Sequence, residues 1–517
     1  MGKVSLVILF SLALNLSAMA ATVEYQGIGG NLNAPGSWYV ITDPAVPASH
    51  TGATGLPVAG DYGIIRGPSG TVGFTLLGER LDIGGPQITG VTTLATSTVT
   101  VPAGGSMHIY RGLPMYGAQM DIGGYYNGTL NISGGTVRTG WGALATVVNV
   151  GHATGSTGTI NLSSGLLDIQ NVDNGVPQFL LGAAVNGTGI MNITGGSVKI
   201  DAVGSTSRGL RIGSNGSAGR LNISGGTLML PGTADVGTGT SMTPQSTGVI
   251  TQTGGFVSCD FRTIVGEDNG FGHYKMLGGT YYSQWLPGNP GPGQLWVGRF
   301  KTLEPAEGFK GKGKFTMNQS AYLNIDGIHM GTSGVVPAID ADHTQMEVKI
   351  NSMNPFQFNS VRSSYLNGKL EISFTDGFQP QVGNVWKLMS YDTGNVGADM
   401  TVDFTQITPG FILTKHDKAI WIECTGVRHA GDANNDGKVN VGDLGILAGN
   451  WGQTDIFGKE WAQGDFNGDD VVNVGDLGIL AGAWNWIGTP ASSTSVPEPA
   501  SLVLLVLGGL AMLRRRK

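Results

Sequence analysis

The residues best placed to do chemistry lie near the C-terminus, where one phrase occurs twice. Gly431-Asp432-Ala433-Asn434-Asn435-Asp436-Gly437-Lys438-Val439-Asn440-Val441-Gly442-Asp443-Leu444 returns as Gly464-Asp465-Phe466-Asn467-Gly468-Asp469-Asp470-Val471-Val472-Asn473-Val474-Gly475-Asp476-Leu477, at an offset of 465 − 432 = 33. Counted from Asp432 or Asp465, oxygen-bearing side chains stand at positions 1, 3, 5, 9 and 12. Position 7 offers a backbone carbonyl, so the spacing is that by which a tight loop wraps one hard cation. An amphipathic helix is expected behind each loop, with Leu444, Leu447, Ala448 and Trp451, then Leu477, Leu480, Ala481 and Trp484, at i, i+3, i+4 and i+7.

Over 430–486 these two halves resemble the type I dockerin, a duplicated loop-helix module that folds around calcium and docks into a cohesin domain. The resemblance implies two calcium ions. The first would take Asp432, Asn434, Asp436, the Lys438 carbonyl, Asn440 through water and Asp443. The second would take Asp465, Asn467, Asp469, the Val471 carbonyl, Asn473 through water and Asp476. One departure is Asp470 where the first loop has Gly437; Asp tolerates a left-handed backbone better than most residues. Another is Val441-Gly442 and Val474-Gly475, where cellulosomal dockerins usually carry small polar residues. The resemblance therefore implies calcium-dependent folding first and a cohesin-bearing partner second.

Other chemistry is harder to assemble. A polysaccharide lyase or glycoside hydrolase would need Asp or Glu pairs facing each other on adjacent repeats. Asp168, Asp201, Asp235 and Asp260 fall at different places in their repeats, which leaves Glu267-Asp268 with Asp260 as the best local cluster. His108, His152, His273 and His343 read as isolated packing or surface residues, and no HExxH or GxSxG motif occurs. No catalytic residues are assigned.

What must carry these modules is a repeat. Leu130-Asn131-Ile132-Ser133-Gly134-Gly135 returns with variations at Ile160, Met191, Leu221, Ile250 and Lys275, the second glycine falling at 135, 165, 196, 226, 255 and 279. Between these phrases an apolar residue precedes Gly at Gly123, Gly151, Gly182, Gly213, Gly237, Gly266, Gly298 and Gly331. Steps near thirty residues with two or three short strands each predict a right-handed parallel β-helix over 97–334. Asn131, Asn161, Asn192 and Asn222 recur at one position, where a turn or stacking role is expected. Residues 21–96 read as an N-terminal β cap. Wider-spaced strand-like runs over 340–427 read as a β-sandwich-like cap. The fold class is thus mainly β, followed by a small all-α calcium module and a C-terminal membrane helix. Extended Gly-rich repeats of this kind resemble autotransporter-like β-repeat proteins.

Both ends read as addresses. Lys3, an apolar run from Val4 to Leu16 and Ser17-Ala18-Met19-Ala20 form a signal peptide over 1–20, with cleavage after Ala20. After a linker over 487–495, residues 496–517 join Pro497, Glu498 and Pro499 to an apolar stretch and Arg514-Arg515-Arg516-Lys517. That order resembles the PEP-CTERM sorting signal of Gram-negative bacteria, recognised by an exosortase, which implies membrane contact before processing and a final place at the cell surface or in the matrix. Glycine is 87 of 517 residues, charged residues 13%, and the net charge −7, so there is no basic field for nucleic acid. With two cysteines, either Cys259 and Cys424 pair or both stay free. The expectation is an exported noncatalytic scaffold touching exopolysaccharide or neighbouring proteins; the alternative is a carbohydrate-active enzyme delivered by its dockerin.

Overall fold

Alternation in the repeated phrase decides which side chains turn inward. Leu221 and Ile223 are 0% and 1% exposed, while Asn222 and Ser224 stay outside. The same two-residue period buries Leu130 and Ile132, Ile160 and Leu162, and Met191 and Ile193. The computed structural model describes strands between Thr22 and Ile83, and residues 97–487 apart from connecting intervals, the longest being 110–118, 284–292, 300–311 and 332–342. The chain divides into two compact units, one over 1–427 and one formed by Arg428–Thr454 with the chain from Lys459 onward.

The first unit is mainly β, and its strands join in one sheet. Three strands recur per repeat, and each pairs in parallel with its counterpart one repeat later. A first ladder passes through Gln119–Ile122, Val147–Val150, Gln178–Leu181 and Arg208–Ser214 to Gly327–Met330. The second runs from Ser97–Pro102 through Thr188–Ile193 and Phe271–Met276 to Thr344–Ile350. A third runs from Ser106–Ile109 through Phe256–Cys259 to Gln357–Ser360. Because register is kept, inward side chains stack on their equivalents and form one apolar core from Val99 to Cys424.

The glycines preceding each turn are required by backbone packing. Gly237 has φ +62, and a Cβ there would lie 1.8 Å from the Phe271 carbonyl oxygen. Its counterpart Gly272, the second residue of the second-ladder strand in the following repeat, would place a Cβ 2.3 Å from the Val236 carbonyl oxygen. Two chain passes therefore meet with no room for a side chain on either. On the outer face, Asn161 donates Nδ2 to Asn131 Oδ1, Asn192 to Asn161 and Asn222 to Asn192, each at 2.8 Å. The recurring asparagine is a stacked amide ladder.

Two boundaries differ from expectation. The parallel register begins before residue 97, because Tyr62–Ile65 pairs with Arg80–Ile83, and that strand with Gln119–Ile122. Over 340–427, where a β-sandwich-like cap was expected, the described strands first continue the parallel ladder. Thr344–Ile350 continues Lys312–Asn318 in parallel, and Ser364–Phe374 continues it in turn. Met346, Val348 and Ile350 supply the next inward column, and only the intervening connections lengthened. Antiparallel pairing enters at Val385–Tyr391, Phe411–His416 and Ala419–Cys424. There Phe374, Phe378, Trp386 and Phe411 pack ring against ring, and Trp386 Nε1 donates to the Ser352 carbonyl at 2.8 Å. Cys259 and Cys424 are buried and unpaired. The signal segment 1–20 and the expected membrane helix within 496–517 lie outside the described residues, among which no helix is long and apolar enough to cross a membrane.

If the interlocked glycines set the register, Gly237→Ala should cost more than about 3 kcal/mol in urea unfolding, since it adds a clash to a left-handed backbone. Gly155→Ala, at φ +77 with nothing within 4 Å of the added carbon, should cost only about 1 kcal/mol. Equal shifts of the unfolding midpoint would refute the packing argument.

Candidate metal centre

The second unit is built around its two loops. Each loop runs into a short helix, Val441–Gly449 or Val474–Gly482, of identical sequence. Asn440 and Asn473 are the N-caps, accepting from Gly442 N and Gly475 N at 2.7 Å. Asp443 and Asp476 complete capping boxes from the third helical position. Both are 0% exposed. Asp443 Oδ1 accepts from Ala433 N and Asn434 N, and its Oδ2 from Asn440 N; Asp476 repeats this with Phe466, Asn467 and Asn473. The carboxylate at position 12 thus closes the loop and starts the helix at once.

The remaining positions converge from the other side. Asp432 accepts from Asp436 N and Gly437 N, Asn434 Oδ1 from Asp436 N, and Asp436 Oδ1 from Lys438 N. In the second loop Asp465 accepts from the amides of Gly468, Asp469 and Asp470, Asn467 from Asp469 N, and Asp469 from Val471 N. Left-handed backbone occurs at Asn435 and Gly437, and at the matching Gly468 and Asp470. Asp470, at φ 72, therefore adopts the conformation its glycine counterpart has at φ 79. Small cores lock the halves together: Ala433, Val439, Leu447, Phe466, Val472 and Leu480 are buried, and His429 stacks on Trp486 at 3.8 Å. Lys438 bridges to Ile487, and Lys459 N donates to the Asp470 carbonyl.

Helix burial differs from the expected face. Leu447 and Leu480 are buried, but Ala448, Ala481, Trp451 and Trp484 are exposed. Both helices end at a glycine, so the tryptophans fall beyond the last turn and the i+7 position never reaches the core.

Carboxylate spacing tests the fit to a cation. Ligand oxygen atoms around calcium, each about 2.4 Å from the ion, lie up to roughly 5 Å apart. Asp465, Asp469 and Asp476 each bring an oxygen within 4.8 Å of the others, the one group of three this close among the described residues. Burial, then repulsion from Asp476, Asp469 and Asp470, pushes the Asp465 carboxyl up to about 7 despite its amide donors. Asp432 is raised for the same reasons, burial first, with Asp443 and Asp436 as its charged neighbours. Such crowding fits a site that a divalent cation would neutralise.

In the first unit two of the candidate carboxylates are held by basic groups from a neighbouring repeat. Arg138 Nε pairs with Asp168 at 2.8 Å, and Arg299 with Glu267 at 3.0 Å, Glu267 being fully buried. Asp235 stands near Arg211 at 3.9 Å, whereas Asp260 accepts from Ser258 and its carboxyl is raised by burial. Asp201 lies outside the described residues. Sequence reasoning missed a buried polar cluster on the second ladder. His273 contacts Thr316 at 2.8 Å, Thr316 donates to Glu347 at 3.1 Å, and Lys314 and Lys349 reach Glu347 at 2.9 and 3.5 Å. Burial pushes Glu347 up, but the two ammonium groups outweigh it and hold the carboxyl far below its usual range. Aligning the strands by their inward residues brings these groups onto one face, with His273 opposite Lys314, Thr316 opposite Glu347 and Lys349 opposite Asn318. His273 is therefore not isolated. On the first ladder Trp296 stacks on His329 at 4.8 Å, and burial, aided by Arg262, lowers His329 to about 4.

Compared with known proteins, the chain matches the family model described as the PEP-CTERM protein-sorting motif over residues 495–517. No curated protein and no solved structure matches it. The chain therefore carries a PEP-CTERM sorting motif around Pro497, Glu498 and Pro499, which implies recognition by an exosortase and export to the cell envelope or surface of a Gram-negative bacterium.

Two outcomes follow from these contacts. With chelator present, Asp443→Ala should cost about 2 kcal/mol and much of the first helix's circular dichroism, because three amides lose their acceptor; exposed Asp436→Ala should cost far less. Below pH 6.5 the unfolded His329 gains a proton that the folded one refuses until about pH 4, so its stabilising contribution, present above pH 6.5, is lost as pH falls through that window. The loss amounts to about 3 kcal/mol, and His329→Gln should flatten urea-unfolding stability between pH 6.5 and 4.

Proposed function

We propose that this chain is an exported, noncatalytic scaffold of the cell surface or matrix whose C-terminal unit is a dockerin-like module that folds around two calcium ions and docks another protein. The observation that carries this reading is the convergence of Asp465, Asp469 and Asp476 in a loop duplicated at Asp432, Asp436 and Asp443. Calcium would be held by the six positions of each loop already named, and would supply charge neutralisation and loop closure. The chain's own contribution is the shared carboxylate at position 12, which would couple cation binding to the helix start. A cohesin-like partner would then meet an ordered surface only when calcium is present.

In the same reading the three in-register ladders of the first unit wind as a right-handed parallel β-helix, a long display surface of the autotransporter-like kind. Buried ion pairs such as Arg299 with Glu267 support a structural use of charge over a catalytic one. A carbohydrate-active enzyme would instead need two carboxylates left open to one groove.

The decisive measurement is calorimetric titration of calcium into the exported chain after chelation. Two ions are expected for the native sequence and one for Asp476→Ala, with stability rising by about 2.7 kcal/mol at a hundredfold excess over Kd. A native chain that takes up no calcium would sink the dockerin reading while leaving the sorting motif intact.

A further inference from the structure

The outer face of the third ladder changes character along the stack. In its early repeats the middle outward position holds Arg138, Asp168 and Lys199 in successive strands, and the first two are ion-paired. Further on, the strands Phe256–Cys259, Thr280–Ser283, Tyr322–Ile325 and Gln357–Ser360 carry no charged residue at all. Their register places Phe256, Thr280, Tyr322 and Gln357 in one outward column, and Ser258, Tyr282, Asn324 and Asn359 in the next. Rings consequently alternate between the two columns, one in each of three consecutive strands spaced about 4.8 Å apart. Phe256 is 38% exposed, and Tyr282 and Tyr322 are half-buried, standing on a core that fixes their bases. Two amide columns continue the line at Asn324, Asn359 and Gln357.

The other two ladders do not offer such a face in these repeats. On the second, His273, Lys314, Glu347 and Lys349 are all at least nine-tenths buried and engaged with one another or with neighbours. The first buries Trp296 against His329, and Arg262 and Arg299 stand over the Trp296 ring at 5.4 and 5.1 Å.

From this we infer that the third-ladder face from Phe256 to Asn359 binds a neutral polysaccharide chain lying along the stack. Aromatic faces cover the apolar faces of successive sugar rings, and the amide and hydroxyl side chains beside them exchange hydrogen bonds with sugar hydroxyls. The four strands carry no charge, and the carboxylate bonded to Ser258 at their edge is that of Asp260, which selects a neutral polymer, since an acidic glycan would find no cation in these strands to offset its desolvation. This deepens the surface-scaffold reading by naming its partner class, and it needs no calcium.

Native affinity electrophoresis of the exported chain, in chelator, tests it with three neutral polymers (hydroxyethylcellulose, dextran and galactomannan) and one acidic polymer, polygalacturonate. Retardation is expected in at least one neutral gel and to a lesser degree, or not at all, in the acidic one. Tyr282→Ala with Tyr322→Ala should weaken the apparent affinity about tenfold, with circular dichroism unchanged. Asn192→Ala, on the second ladder, should leave it as it was. Should the double variant misfold, Phe256→Glu at the most exposed ring should weaken binding by itself. The inference is overturned by no retardation in any neutral gel, by retardation that Phe256→Glu and the tyrosine variants leave intact, by binding to polygalacturonate alone, or by a dimer in sedimentation that these substitutions dissociate. Because chelator is present throughout, failure here leaves the calcium reading standing, and loss of calcium uptake leaves this face untouched.

Discussion

Contact of backbone with backbone at the glycine corners is the constraint on which the first unit rests. Where Gly237 meets the Phe271 carbonyl, or Gly272 the Val236 carbonyl, two passes of the chain come closer than any Cβ permits. That contact fixes how far each first-ladder strand runs before it turns, and so which residue of the next strand faces inward. The inward columns, the asparagine ladder and the ion pairs between Arg138 and Asp168 or Arg299 and Glu267 all presuppose this phase. A slip of one residue would turn Leu221 outward and Asn222 into the core.

The two units solve the problem of buried charge in opposite ways. In the second ladder Glu347 is neutralised from within, by Lys314 and Lys349 from its own and the neighbouring strand, with Thr316 and Ser373 donating to the same carboxylate. In the C-terminal loops carboxylates crowd one another with only neutral amides as donors, and burial together with that crowding raises the Asp465 carboxyl to about 7. The first arrangement is complete in itself. The second leaves its negative charge without a cationic partner among the contacts described.

How much of this could be read beforehand depends on the distance over which each pattern acts. Both loops were legible because all their oxygens fall within twelve residues and their geometry is local. The inward alternation at Leu221 and Ile223 was legible for the same reason, and so was the recurrence of Asn131, Asn161, Asn192 and Asn222, although its amide-to-amide bonding was not. The cluster joining His273, Thr316 and Glu347 was hidden because its members come from repeats separated by connections of unequal length. Those same connections broke the apparent period after Gly331 and made Met346 to Ile350 look like the start of a different sheet. Trp451 was misplaced by extending a helical period past the glycine that ends the helix.

In the asparagine ladder each inner amide donates to one neighbour and accepts from the other, so the row has no member that depends on its position in the row. Glycine corners repeat in the same step. A gene segment encoding one whole repeat could therefore be copied or lost with every new junction already complementary, since a repeat contacts only its neighbours. The number of repeats in such a chain is an inheritable variable separate from their sequence, and it can drift by whole repeats while the fold of each stays as it was.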